Sequence, residues 1–412
     1  MGDLEVLAPP ASGAAPSPQP SRGTMNVFRA AERGNIGAIR AYLAGGGNVN
    51  KRHRDGYTML HLAAMMNREA VAELLLENGA EPNAHDANEG LTPLMWCAQL
   101  GYPGVARALL GAGADPGEMD HEDMSALHWA ARMGNEGMVE LLLDQGADIE
   151  DMDYDGNTTL IWAARENHEA CVLQLLRRGA YVNALDENSN TALHFVCQAG
   201  HAGLAALLLS HGADPGAQDY WKFTPMHRAC SQGHSHVLTE LLRPSATHVP
   251  LPVDLRNHFH ATPLHRAAAK GHAPVVKMLL EAGADASSRD NFNNTPLHAA
   301  SQHGHVEVVR LLLEAGSSPL AQAHGGLTPL KMAIKPAVHD LLEKAVAQQR
   351  AQGNGKLVGP DLYELDKLLD RNGGDVSHRP TGMSEAGAVF TGPPAPHPTF
   401  FAVSQTVPDK GP

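Results

Sequence analysis

Histidine is the residue type that most invites a chemical reading of this sequence. There are 24 among 412 residues, enough to raise metal binding or acid–base work. Eleven of them return at two fixed places in a repeating pattern: His61, His128, His194, His227, His265 and His298 at one, and His168, His201, His234, His272 and His305 at the other. A residue that returns in every unit serves the unit's architecture, so hydrogen bonds tying loops to helices are the expected role. His258 and His260, flanking Phe259 and close to His265, form the best remaining cluster. No cysteine, aspartate or second histidine pair stands beside them at ligand spacing.

Other catalytic patterns are missing from the sequence. It contains no phosphate-binding G-x-x-x-x-G-K loop, no G-x-S-x-G turn, no kinase signature set and no H-E-x-x-H. Its carboxylates gather in short runs, where solvation is the default. The four cysteines, Cys97, Cys171, Cys197 and Cys230, include no C-x-x-C pair. They argue against a disulfide framework and fit a reducing compartment. No enzyme activity, cofactor or bound metal is expected.

Bulk charge narrows the partners. With 45 acidic against 31 basic residues the net charge is −14, the wrong sign for neutralising phosphates of nucleic acid or anionic membrane. A basic protein segment is the favoured partner. No stretch of about 18 apolar residues is present to span a bilayer, and the N-terminus lacks a secretory pattern. The expected location is the cytoplasm, with the nucleus as a second site, and the expected state is a monomer.

What positions these residues is a repeat. A Thr or Ser followed by an apolar residue two places on returns at Thr58, Thr92, Ser125, Thr158, Thr191, Thr224, Thr262, Thr295 and Thr328. Successive gaps are 34, 33, 33, 33, 33, 38, 33 and 33 residues, and a degenerate first copy aligns with Met25. These ten units are numbered here in chain order. After each anchor come small and apolar positions such as Leu60, Ala63 and Ala64, which predict a short first helix. An apolar pair such as Leu75–Leu76 or Leu142–Leu143 predicts the end of a second. Gly79, Gly113, Gly146, Gly179, Gly212, Gly283 and Gly316 then supply a helix stop. Asp or Asn with Gly predicts an exposed turn before the next anchor.

The segments TPLHRAAAKGHAPVVKMLLEAGAD from Thr262 and TPLHAASQHGHVEVVRLLLEAGS from Thr295 resemble the ankyrin-repeat consensus almost throughout. The resemblance covers residues 25–343. It implies an all-α solenoid of stacked helix pairs with β-hairpin-like fingers on one edge, and a concave surface of fingers and first helices that binds other proteins. Residues 1–24 and 344–412 are expected to be disordered, apart from a helix at 361–371 with Leu362, Leu365, Leu368 and Leu369 on one face. Repeat 7 holds a five-residue insertion containing Pro244, Pro250 and Pro252, expected to bulge from the stack.

Register then assigns a surface. The first finger is basic, with Lys51, Arg52, His53 and Arg54. The next complete ones are acidic, with Asp120, His121, Glu122 and Asp123 beside Met124, then Glu150, Asp151, Asp153 and Asp155 with Tyr154. Later fingers show aromatics: Tyr220, Trp221 and Phe223, then Phe259, then Phe292. Exposed aromatics near charges are what protein interfaces concentrate. Four residues after successive anchors lie Trp96, Trp129, Trp162 and Phe195, followed by Arg228 and Arg266, a column expected to pack between neighbouring helices. Its sharper reading is a methyl-lysine peptide reader. Repeats 3 and 4 resemble the ankyrin domain of euchromatic histone-lysine methyltransferases, although Leu91 stands for an expected Trp and Gln99 for an expected Glu.

Asn50, Asn83 and Asn183 occupy a turn position that, in the ankyrin family, is a substrate of an asparaginyl hydroxylase; Asn83 and Asn183 also have the upstream leucine. The leading expectation is a non-catalytic adaptor holding a peptide or domain on the concave face. The alternative is a structural or regulatory subunit whose tails carry the recognition.

Overall fold

The computed structural model describes residues 26–54, 56–243 and 252–352. The tail 1–24, the 361–371 segment, and Pro244 and Pro250 of the insertion lie outside the described residues. Twenty α-helices follow one another as ten pairs, from Val27–Arg33 with Ile36–Ala44 to Pro329–Met332 with Pro336–Gln352.

The anchor residues are the N-caps of the first helices. The Thr224 hydroxyl oxygen accepts the His227 N–H, and His227 Nδ1 accepts the Thr224 N–H, closing a reciprocal capping box. Proline fills the first helical position in five repeats, as at Pro93, Pro225 and Pro263, where its missing N–H costs nothing. First helices of seven or eight residues, such as Ala126–Arg132, are too short to persist alone. They are stabilised by stacking: Ala130, Ala131, Ala163 and Ala164 are fully buried, and such small side chains let neighbouring backbones approach. Along the second helices the leading leucine of each pair (Leu142, Leu175, Leu208) is fully buried, while its successor packs partly exposed.

The repeated histidines staple one repeat to the next. Because Nδ1 accepts from the anchor's N–H, Nε2 must donate. In His61, His128, His194, His227, His265 and His298 it reaches a carbonyl of the following turn, those of Leu91, Asp151, Phe223, Ala261, Asn294 and Leu327. Four of the second set donate backwards, His168 to Arg132 O, His234 to Gln198 O, His272 to Ser231 O and His305 to Ala269 O, all at 3.0–3.1 Å. These bonds match the architectural role expected from the period.

The fingers are tight, hairpin-like turns; among the described residues their pairing consists of isolated antiparallel bridges between Met119 and Ser125 and between Met152 and Thr158. One feature differs from expectation: the last helix runs to Gln352, nine residues beyond the expected end of the array at 343. Val338, Leu342 and Val346 recur every fourth residue and are buried, and the segment joining them is built of strong helix formers. The apolar stripe therefore continues past the leucine pair that marks the end of other second helices.

Candidate partner-binding surface

The middle fingers are each organised by one carboxylate or amide. Asp120 Oδ1 accepts the N–H groups of Glu122 and Met124, both at 2.9 Å. Asp153, Asp186, Asp219, Asn257 and Asp290 do the same for their own turns. The side chain thus takes the place of a backbone acceptor. It also lets the third residue after it adopt a left-handed conformation, as at Asp123 and Lys222.

The other carboxylate oxygen faces the first helix. At Asp120 it accepts the indole N–H of Trp129 at 2.9 Å, and at Asp153 that of Trp162 at 2.8 Å. At Asp219 the partner is the Arg228 guanidinium, 2.6 Å away. The expected aromatic column is therefore wired to the finger column. Its ring faces hold the chain's own cations: Arg132 lies 5.2 Å from the Trp129 ring and 4.7 Å from Trp162, and Arg165 lies 5.2 Å from Trp162 and 5.4 Å from Phe195. The column packs between neighbours, as its spacing suggests, with arginine as the filler. Burial, and then the nearby Arg228, push the Arg266 pKa down to about 10, so it stays charged.

This wiring changes the accessibility of several expected contact residues. Asp120, Met124, Trp129, Trp162 and Phe223 are buried. Asp120 is consumed by its turn, and Met124 lies under the Arg132 guanidinium. Phe223 is only 3% exposed because Arg228 and Arg266 cover it, 5.3 and 5.4 Å from its ring. The exposed ones are His121, Glu122, Tyr154, Asp155, Tyr220 and Trp221, with Phe259 half-buried. Tyr154 and Tyr220 are 72% and 64% exposed.

These exposed residues sit at the tips, and the tips are joined. The fourth residue before each anchor donates its N–H to the carbonyl of the third in the preceding turn. The bonds run from His121 to Glu89, Tyr154 to Glu122, Glu187 to Asp155, Tyr220 to Asn188, His258 to Trp221, Asn291 to Phe259 and His324 to Phe292, all at 2.8–3.0 Å. The late tips merge into one aromatic cluster. Tyr220 meets Trp221 edge-on at 5.3 Å, Trp221 stacks on Phe259 at 6.2 Å, and Phe259 leans on Phe223 at 6.5 Å.

The turn asparagines hold neighbouring repeats together. Asn83 Oδ1 accepts the Asp115 N–H at 2.9 Å; Asn183 accepts from Asp214 at 2.8 Å and donates to Gly212 O at 3.1 Å; Asn50 accepts from Glu81 at 2.9 Å. In the His258–His260 cluster, His265 spends both ring nitrogens on the Thr262 anchor and Asn294 O, and His258 packs on Trp221 at 6.2 Å. All four cysteines are free and buried; burial alone pushes the thiol pKa of Cys97 upward, which keeps it unreactive. No helix among the described residues is long and apolar enough to cross a membrane.

Sequence reasoning missed Arg132 and Arg165 as cationic fillers and Glu89 as a tip residue. An Asp recurring five residues before most anchors was the signal for the wiring.

The fold class defined by this geometry is a helical repeat that displays turns along one edge. A family profile described as ankyrin repeats (three copies) matches residues 27–120, 94–186, 172–252, 248–323 and 264–352, and the chain belongs to the ankyrin-repeat family. It is 33% identical over 107 residues to palmitoyltransferase Hip14 of Drosophila melanogaster, covering 26% of this chain and 17% of the relative. It is 34% identical over 98 residues to the putative ankyrin repeat protein YahD of Escherichia coli, covering 22% and 48%. It is 37% identical over 76 residues to human 2-5A-dependent ribonuclease, covering 18% and 10%. The matches thus span less than half the length of each of these relatives. The solved human ASB11 ankyrin repeat domain is 30% identical with a TM-score of 0.48, covering 54% of this chain and 98% of that one.

Proposed function

We propose that this chain is a non-catalytic adaptor that holds a protein partner against its fingertips. The observation that supports it best is the cluster of Tyr220, Trp221 and Phe259, three aromatic side chains gathered from two adjacent turns on the outer edge. Trp221 is 39% exposed and Tyr220 64%, although a protein with no partner gains nothing from placing such rings in water. Aromatic residues supply much contact area at small conformational cost, and they dominate binding energy at interfaces. The acidic tips on earlier turns would steer a basic partner toward the surface. The acidic balance of the whole chain supports the same choice. Buried free thiols fit a reducing, intracellular setting, and the chain acts as a monomer in this reading.

The test is capture from cell extract, with quantitative mass spectrometry, by the full chain and by a Tyr220→Ala, Trp221→Ala, Phe259→Ala variant. Proteins retained by the wild type and lost by the variant, with unchanged helicity and thermal midpoint, support the reading. Equal retention by both would move the interface elsewhere. A further variant lacking residues 1–24 and 353–412, which keeps the entire final helix, separates the array from the tails as the binding element.

A further inference from the structure

The backbone bonds between tips align one side chain per turn in a single row, that of the third residue before each anchor. In order these are Glu89, Glu122, Asp155, Asn188, Trp221, Phe259 and Phe292. The row divides by chemistry, three carboxylates and then three aromatics, with one asparagine between.

We propose, resting on the docking reading above, that this row is a two-part recognition strip for one extended segment of a partner protein. One half of the segment is basic and the other half is apolar or aromatic. The carboxylate half is a field in need of a counter-charge. Glu122 and Asp155 are exposed, and none of Glu89, Glu122 and Asp155 forms an ion pair with a described residue. The Glu89 carboxyl is raised above its ordinary range, first by burial and then by Asp86, Glu122 and Asp120, with Arg132 opposing them; like charges outweigh the nearby cation here. A Lys or Arg arriving from a partner relieves that repulsion and is drawn in from a distance.

The aromatic half rejects the same residue. Exposed Lys222, Arg256 and Arg289 flank it, so a cation placed there meets like charge, while an apolar side chain covers Trp221 and Phe259. Selection thus combines attraction at one end with repulsion at the other. Spacing follows from the stack. Packed neighbouring helices lie about 8–10 Å apart and an extended chain advances about 3.3 Å per residue. A partner segment therefore presents about one anchor in three residues, over roughly 16–18 residues for the whole row.

The probe is a fluorescein-labelled synthetic peptide of about 18 residues with arginine at every third position in one half and leucine or tryptophan at every third in the other. Its control has the same composition with the two anchor types alternating. Fluorescence anisotropy with the full chain should show the segregated peptide binding at least about tenfold more tightly. Its affinity should fall with added salt and drop at least about tenfold on Glu122→Lys with Asp155→Lys. Glu122→Gln with Asp155→Asn, which preserves shape, should give a smaller loss in the same direction. Equal affinity for the two peptides, or indifference to charge reversal in a variant with an unchanged melting curve, would overturn the strip. The broader docking reading fails separately: it falls if the aromatic-tip variant captures the same proteins from extract as the wild type does.

Discussion

Trp162 illustrates how one side chain serves the stack instead of a ligand. Its indole N–H is donated to Asp153, its ring lies between Arg132 and Arg165, and it is almost wholly buried. Trp162→Phe keeps an aromatic, though smaller, ring and removes the donor, leaving the Asp153 carboxylate one partner short. The expected loss is about 1.5–3 kcal/mol, since hydrogen bonds to charged groups lie in that range, measured as a shift of the urea midpoint. The histidine staples carry a pH dependence. Burial is the first cause holding His61 and His194 down at about 4 and His227 at about 3, against an ordinary 6.5. The folded state keeps them neutral where the unfolded chain takes up protons. Their contribution is therefore complete above about pH 6.5 and is lost as pH falls through the folded values, by at most about 1.4 kcal/mol per pH unit for each. Denaturation midpoints measured from pH 7 to 4 should fall steadily, and His227→Gln should flatten the slope. At this scale the sequence announced the histidines' role through their recurrence. It did not announce that Asp120 and Phe223 are inaccessible. Their burial depends on Trp129, Arg228 and Arg266, which lie five or more residues away and touch them only after the turn has closed.

At the scale of the element, caps and stops explain why each pair forms where it does, and two glycines separate conformation from contact. Gly79 has φ of +82° with open space where a Cβ would stand. Gly134 has φ of +72°, and a Cβ there would meet His168 Nδ1 at 2.5 Å. Gly79→Ala should cost only left-handed strain, about 1–2 kcal/mol. Gly134→Ala adds displacement of the His168 staple and should cost clearly more, which thermal unfolding of the two variants would compare. The helix boundaries were legible because the anchor threonines, the prolines after them and the glycine stops are local signals. The length of the final helix was less so. Val346 reads as one alanine-flanked residue in a polar tract until Val338 and Leu342 are seen to bury on the same face.

For the whole molecule, ten stacked pairs turn local turns into an extended edge, and function lies in what that edge displays. The period and the charge gradient along it were readable beforehand; the row of tips was not, because it is created by backbone bonds between turns 33 or 38 residues apart. The proposed function requires a protein partner seated on this edge. Site-specific photo-cross-linking tests it most directly, with a photoreactive phenylalanine at Tyr220 on the tip or, in a second protein, at Glu140 on the exposed side of the helix Glu136–Asp144. Adducts with a partner protein are expected from the Tyr220 position and none from Glu140. Adducts from Glu140 with none from Tyr220 would contradict it.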